Sequence, residues 1–154
     1  MSIHGDLAYE NFMKGYNCAQ SVALAYAPEM NLTPEQALTM SAGFGGGVGR
    51  LREVCGAFSG VVLVLGALYG SPDPSQKTAL YTEVQALAER YRTETGGGSI
   101  VCRELLGLAK AEGSPVASPR TPEYYKKRPC PQLVRLAADI LDEYIAAHPL
   151  PEKQ

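Results

Sequence analysis

The sequence predicts an all-α fold: a compact single-domain bundle of five or six helices with a buried central helix. Apolar residues recur at spacings of three and four along several segments, as they do on one face of an α-helix. No segment alternates between apolar and polar residues for long enough to indicate a β-strand. The chain has 154 residues, a length that suits one domain, and we expect residues 1–154 to form it with a core at about residues 6–147.

The first predicted helix covers residues 6–27, where the helical spacing of apolar residues continues until Pro28 ends it. Thr33 and Pro34 indicate the start of a second helix, because threonine is a favoured N-cap and proline fits the first helical position. We expect this short helix to end near Ala42.

A glycine-rich loop, residues 43–49, follows the second helix. Backbone N–H groups that lead into a helix can hold an anion, so the loop is a candidate for cofactor binding or for shaping a site around Cys55. It lacks the Lys-Ser/Thr ending of a phosphate-binding loop and follows a helix, which leaves a structural turn as the competing interpretation. The candidate cofactor-binding residues are Gly45, Gly46, Gly47 and Arg50.

Residues 54–72 carry no charge and approach the length of a membrane span. The segment contains four glycines and lacks flanking aromatic and basic anchors, which favours a central helix buried on nearly all sides over a membrane span. Glycines spaced by four allow close helix packing and permit a homodimer. These glycines are Gly56, Gly60, Gly66 and Gly70.

Three further helices are predicted at residues 75–94, 99–110 and 131–147, the second of them capped by Ser99. A proline-rich connection, residues 113–129, is expected to be irregular between the last two helices.

Composition excludes several classes of protein. The net charge of −2 gives no basic field for nucleic acid. The N-terminal segment lacks the apolar stretch of a signal peptide, so we expect a cytoplasmic location, where thiols stay reduced and permanent disulfides are rare. The two histidines, His4 and His148, lie near the chain ends. A metal site would therefore depend on cysteine and carboxylate ligands.

Four cysteines, Cys18, Cys55, Cys102 and Cys130, are the candidate functional residues. They are widely spaced and form no Cys-x-x-Cys motif. All except Cys18 are predicted near helix starts, where unpaired N–H groups and the helix dipole stabilise a thiolate. Cys18 is predicted in the middle of the first helix. Inert, buried cysteines are the alternative, since free cysteine packs as a small apolar residue.

The cysteines lie in recognisable local motifs. These are Gly15-Tyr16-Asn17-Cys18-Ala19-Gln20-Ser21, Cys55-Gly56-Ala57-Phe58-Ser59-Gly60, Cys102-Arg103-Glu104-Leu105-Leu106-Gly107 and Cys130-Pro131-Gln132-Leu133-Val134. With them the sequence resembles the C_GCAxxG_C_C family, small four-cysteine proteins described as redox-active. The resemblance extends over about residues 8–144. It implies redox chemistry and makes the four cysteines the candidate functional set.

Our leading hypothesis is thiol–disulfide chemistry, which would make the protein a thiol-based oxidoreductase acting on an unidentified redox partner or small molecule. Cys55 is the expected attacking thiol because Arg50 and Arg52 lie beside it in sequence, with Cys102 or Cys130 as the resolving thiol. A second hypothesis is an iron–sulfur cluster or zinc held by the four cysteines. A third is a helical ligand-binding or interaction module with inert cysteines.

Overall fold

The computed structural model describes residues 2–108 and 113–150. Within these ranges the chain forms eight α-helices and no β-strand, which confirms the all-α prediction. Two 3-10 helices, Ala42–Phe44 and Pro74–Gln76, and one isolated bridge between Val54 and Val101 complete the ordered elements of these ranges. The α-helices are α1 (Ile3–Met13), α2 (Cys18–Ala25), α3 (Pro34–Ser41), α4 (Gly56–Tyr69), α5 (Lys77–Glu94), α6 (Cys102–Leu105), α7 (Pro122–Lys127) and α8 (Cys130–Ala147).

The segment predicted as one helix at residues 6–27 forms two helices, α1 and α2. Gly15 lies between them with a φ of +107°, which a non-glycine residue rarely adopts. Asn17 then caps α2, because its side chain accepts from the Gln20 N–H while the Gln20 side chain accepts from the Asn17 N–H. The apolar spacing continues across this break, so periodicity alone did not reveal it.

The predicted helix at residues 99–110 is shorter than expected. It begins at Cys102 as α6, with Val101 as its N-cap in place of Ser99. Ser99 instead accepts a hydrogen bond from the Val101 N–H and contacts Glu104. The helix ends at Leu105, and its predicted end at Lys110 lies outside the described residues.

A helix also forms where an irregular connection was expected. Thr121 accepts from the Tyr124 N–H, and Pro122 occupies the first helical position of α7. Helix α7, together with the division of the first predicted helix into α1 and α2, raises the count in the described residues above the predicted five or six. The capped start at Thr33 and Pro34 is confirmed, with Gln36 completing the capping box.

The core lies between α1, α2, α4 and α8, and α5 packs against α4 and α8. Helix α4 buries only part of its surface, whereas burial on nearly all sides was expected. Its second half includes half-buried residues such as Gly66 and Leu68 and the exposed Ala67. Its buried residues are Gly56, Ala57, Phe58, Gly60, Val61, Val64 and Leu65. Among the described residues, every helix falls short of the length and apolar character needed to cross a bilayer.

Candidate functional site

All four cysteines lie at the beginnings of helices. Cys18, Cys102 and Cys130 are the first residues of α2, α6 and α8. Cys55 is the N-cap of α4. The prediction that Cys18 lies in the middle of a helix is wrong, because the chain turns at Gly15 and α2 begins three residues later.

The four cysteines line one cavity of about 430 Å³, and all four are free thiols. Glycines make this arrangement sterically feasible. A Cβ atom added to Gly56 would lie 3.0 Å from Cys18 Cβ, and one added to Gly47 would lie 2.7 Å from Cys102 Cβ. Larger residues at these two positions would therefore push the cysteines away from the cavity.

The glycine-rich loop forms one wall of the cavity, and its residues Gly45, Gly46, Gly47 and Arg50 all line it. Much of the loop has left-handed backbone, including the non-glycine residue Arg50 with a φ of +65°. Several of its N–H groups donate to carbonyls of the loop, as in the 2.9 Å bond from Gly49 N to Gly43 O. These bonds fold the loop on itself, and cofactor binding by its residues stays a prediction.

Arginines make the cavity electropositive. Arg50, Arg52, Arg120 and Arg128 line it, and no aspartate or glutamate does so among the described residues. Arg52 is only 5% exposed, and its guanidinium donates to Cys102 Sγ at 3.7 Å. Their positive charges favour the thiolate, whereas burial of the sulfur atoms favours the neutral thiol, so the balance differs from one cysteine to the next.

A strap, defined here as residues 113–120, covers one side of the cavity. Arg50 donates to the carbonyls of Ser114 and Val116 in the strap. Arg120, at the end of the strap, donates to the carbonyls of Phe12 and Tyr16, both at 2.8 Å. Sequence reasoning missed Arg120, because nothing in an irregular proline-rich stretch indicates which arginine turns back to the end of α1.

Cys18 and Cys130 form a hydrogen-bonded thiol pair. The hydrogen bond from Cys18 lowers the pKa of Cys130 to about 7, although burial opposes the shift, and the charges of Arg128, Arg120 and Arg52 lower it further. The same bond raises the pKa of the Cys18 thiol well above its usual value, and burial adds to the effect. Cys130 is therefore the more acidic thiol of the two.

The other two cysteines behave differently. Burial raises the pKa of Cys55 to about 11, even though Tyr91 and the N–H groups of Ala57 and Phe58 stabilise its thiolate. Its Sγ lies 3.3 Å from Tyr91 Oη. Burial also raises the pKa of Cys102, and the Arg52 side chain only partly offsets this. At these two helix starts, burial outweighs the helix N-terminus, contrary to the expected lowering.

The sulfur atoms share a cavity without forming a metal-ligand set. In residues 2–108 and 113–150, no group of three or more histidine, cysteine, aspartate or glutamate side chains is arranged to hold an ion. Zinc or an iron–sulfur cluster would need such a group. The described residues therefore show no preformed site for such a group, and metal binding by the four cysteines stays a prediction.

A family model matches residues 16–144 of the chain, a range that includes all four cysteines and the glycine-rich loop. Its description reads "Putative redox-active protein (C_GCAxxG_C_C)". No curated protein and no solved structure matches the chain. The match extends over most of the sequence.

Proposed function

The chain belongs to the C_GCAxxG_C_C family, and we propose that it is a dithiol–disulfide redox protein that uses Cys130 and Cys18. In this proposal Cys130 is the attacking thiolate and Cys18 the resolving thiol. The observation that carries the proposal is that both thiols line one arginine-lined cavity, where their interaction and the arginine charges lower the pKa of Cys130. Four free thiols also suit a reducing compartment, and a cytoplasmic location is part of the proposal.

The first step forms a mixed disulfide. The Cys130 thiolate attacks one sulfur of an organic disulfide, a new S–S bond forms, and the second sulfur leaves as a thiolate with the bonding electron pair. The substrate disulfide has then lost one thiol, and Cys130 carries the other half.

The second step closes the protein disulfide. Once Cys130 is no longer an anion, the hydrogen bond that raised the pKa of Cys18 is lost, so Cys18 releases its proton more readily. Its thiolate attacks Cys130 Sγ and expels the second thiolate. The two protein thiols have lost two electrons, the substrate disulfide has gained them, and the released thiolates take up protons. A dithiol reductant reverses the sequence.

Cys55 and Cys102 are less suited to the attacking role. A thiol whose pKa is about 11 is almost fully protonated at neutral pH. Cys102 Sγ accepts a hydrogen bond from Arg52, but burial still raises the pKa of this thiol. We assign these two cysteines to the cavity wall in the proposal.

Single-cysteine variants test the assignment. The reduced protein is treated with hydroxyethyl disulfide at pH 7, and its mass is followed. The wild type should lose two hydrogen atoms and keep no adduct, whereas Cys18→Ser should keep one adduct on Cys130 because nothing resolves it. Cys130→Ser should react at least about tenfold more slowly, since its remaining thiols are protonated.

Cys102→Ser is the matched control, because it removes a cavity thiol outside the proposed pair. It should lose two hydrogen atoms at the rate of the wild type. The proposal fails if Cys18→Ser still closes a disulfide, or if Cys130→Ser reacts as fast as the wild type.

A further inference from the structure

We infer that the cavity takes a small organic disulfide that carries an anionic group, with Arg128 holding the anion while the disulfide reacts at Cys130. This inference rests on the proposed function and names the class of its oxidising substrate. Three features support it: the size of the cavity together with the burial of Cys130, the arrangement of the arginines, and the apolar wall.

The size of the cavity favours a small molecule over a protein disulfide. Its volume of about 430 Å³ lies within the range of small-molecule sites. Cys130 is only 8% exposed, and the strap residues Pro115 and Ala117 line the same cavity. A disulfide on the surface of a folded protein would have to enter this space together with its backbone, whereas a free disulfide has no such attachment.

The arginines favour an anion, and Arg128 is the one placed to bind it. Arg52 donates to Cys102, Arg120 donates to Phe12 and Tyr16, and Arg50 donates to the strap. The guanidinium of Arg128 lies 5.5 Å from the centre of the Tyr124 ring. Among the described contacts it donates no hydrogen bond. A guanidinium stacked on a ring keeps its N–H edge available for a carboxylate.

An apolar wall completes the site. Aromatic and leucine side chains also line the cavity. Their apolar surface suits the carbon chain beside a reacting sulfur. The apolar lining residues are Phe12, Leu105, Leu106, Leu133 and Tyr124. A ligand with an anionic end, a short apolar chain and a central disulfide matches these surfaces.

The two steps of the reaction conserve atoms and electrons with this substrate. Cys130 forms a bond to one sulfur of the anionic disulfide, and the other half leaves as a thiolate that still carries its carboxylate. Cys18 then attacks Cys130, and the second half leaves in the same way. One disulfide gains two electrons and becomes two small thiols, while the two cysteines become one disulfide.

Three disulfides of similar size test the inference: dithiodipropionate is anionic, hydroxyethyl disulfide is neutral and cystamine is cationic. The rate of two-hydrogen loss is measured for the wild type and for Arg128→Gln. We expect Arg128→Gln to slow oxidation by dithiodipropionate about tenfold more than oxidation by hydroxyethyl disulfide, since only the former loses a charge-assisted hydrogen bond. Oxidation by cystamine should be slowed least.

The ratio of the wild-type rate to the Arg128→Gln rate, compared among the three reagents, separates binding of the anion from activation of the Cys130 thiol. Arg128→Gln also weakens the Cys130 thiolate, but that effect slows all three reagents alike. Lys127→Gln is the matched control, because the Lys127 side chain is 80% exposed and does not line the cavity. Its three rates should equal those of the wild type. Arg128→Lys, which keeps the charge, should recover part of the preference for the anion.

Two outcomes overturn different claims. If Arg128→Gln slows the three reagents by one common factor, Arg128 does not bind the anion and the inference is wrong while the redox pair stands. If no reagent links Cys18 to Cys130 in the wild type, the proposed function itself is wrong.

Discussion

The thiols of Cys18 and Cys130 have the same chemistry and both begin a helix, yet the pKa of Cys18 is raised and that of Cys130 is lowered. Their shared hydrogen bond stabilises one negative charge, and the arginines around Cys130 determine where it resides. Burial alone would raise both pKa values, as it does for Cys55. The polarity of the pair therefore depends on contacts between distant parts of the chain.

Alkylation by iodoacetamide should show this order directly. We expect labelling of Cys130 to reach half its maximal rate near pH 7 and labelling of Cys55 only near pH 11, because the thiolate is the reactive form. The rates are measured by peptide mapping between pH 5 and pH 10, a range in which labelling of Cys130 should level off while labelling of Cys55 is still rising. Cys18→Ala removes the hydrogen-bond donor, so its Cys130 midpoint should move to higher pH. A single midpoint shared by Cys130 and Cys55 would contradict the account.

The free energy of unfolding should depend on pH because of the lowered pKa of Cys130. The pKa of Cys130 is lowered on folding, so its ionisation stabilises the folded protein at pH values above the unfolded pKa of about 8.5. That contribution is lost as the pH falls through about 7. In Cys130→Ser, this part of the pH dependence of the free energy of unfolding should be absent, as urea titrations at pH 6 and pH 9 would show. An unchanged pH dependence would argue against the lowered pKa.

Sequence reasoning identified the four cysteines, but the surroundings of Cys55 differ from those expected. Arg50 and Arg52 lie near Cys55 in sequence, which favoured Cys55 as the attacking thiol. In the fold, Arg52 contacts Cys102 and Arg50 holds the strap. The pKa of each thiol depends on burial and on contacts between distant segments. Neither can be predicted from the residues adjacent in sequence.

Helix α4 approaches α2 closely through part of its glycine series. A Cβ atom on Gly60 would lie 2.8 Å from Val22 Cβ, whereas one on Gly66 would meet nothing within 4 Å. We expect Gly60→Ala to lower the free energy of unfolding by about 1–3 kcal/mol through overpacking. Gly66→Ala should raise it by about 0.5–1 kcal/mol, because alanine favours the helix. Urea denaturation measures both, and equal effects would contradict the packing.

The glycine spacing predicted close packing along the whole of α4, and the structure supports this for Gly56 and Gly60. Gly66 and Gly70 have the same spacing but face no neighbouring helix among the described residues. Spacing identifies a face of a helix, but it cannot indicate how far along that face the partner extends. The partner, α2, has eight residues and is shorter than α4.

Arg120 attaches the strap to the end of α1 and the turn after it. It donates to the carbonyls of Phe12 in α1 and Tyr16 in that turn, and it stacks 4.0 Å above the Phe12 ring. Arg120→Ala should lower the free energy of unfolding by about 1.5–3 kcal/mol, because two carbonyls lose charged donors. Arg92→Ala is the control, since Arg92 makes an exposed ion pair with Glu89 and should change stability by less than about 1 kcal/mol. Equal losses in a thermal melt would mean that Arg120 does not anchor the strap.

At the scale of the molecule, the all-α class could be predicted because helical periodicity is a local property. The positions of helix ends were predicted well where a cap and a proline coincide, as at Thr33 and Pro34. The break at Gly15 was missed because the core accepts apolar residues from both α1 and α2 at the same spacing. Convergence of the four cysteines required the packing of α2, α4 and α8, which no local pattern contains.

Oxidation should stabilise the whole molecule, because a bond between Cys18 and Cys130 would connect α2 to α8, the last helix of the described residues. A disulfide that closes so long a loop restricts the unfolded chain and contributes about 3–5 kcal/mol where the folded geometry accommodates it. We expect guanidinium denaturation to show this increase for the oxidised wild type. Cys18→Ser treated with the same oxidant should show none, and an equal increase in that variant would exclude the pair as its cause.

The most direct test is peptide mapping of the protein after equilibration in glutathione buffers of graded potential. The account predicts a linked peptide that contains Cys18 and Cys130, whose fraction follows a two-electron Nernst curve and returns to zero in reducing buffer. Absence of that peptide at every potential, or a dominant link between Cys55 and Cys102, would contradict it.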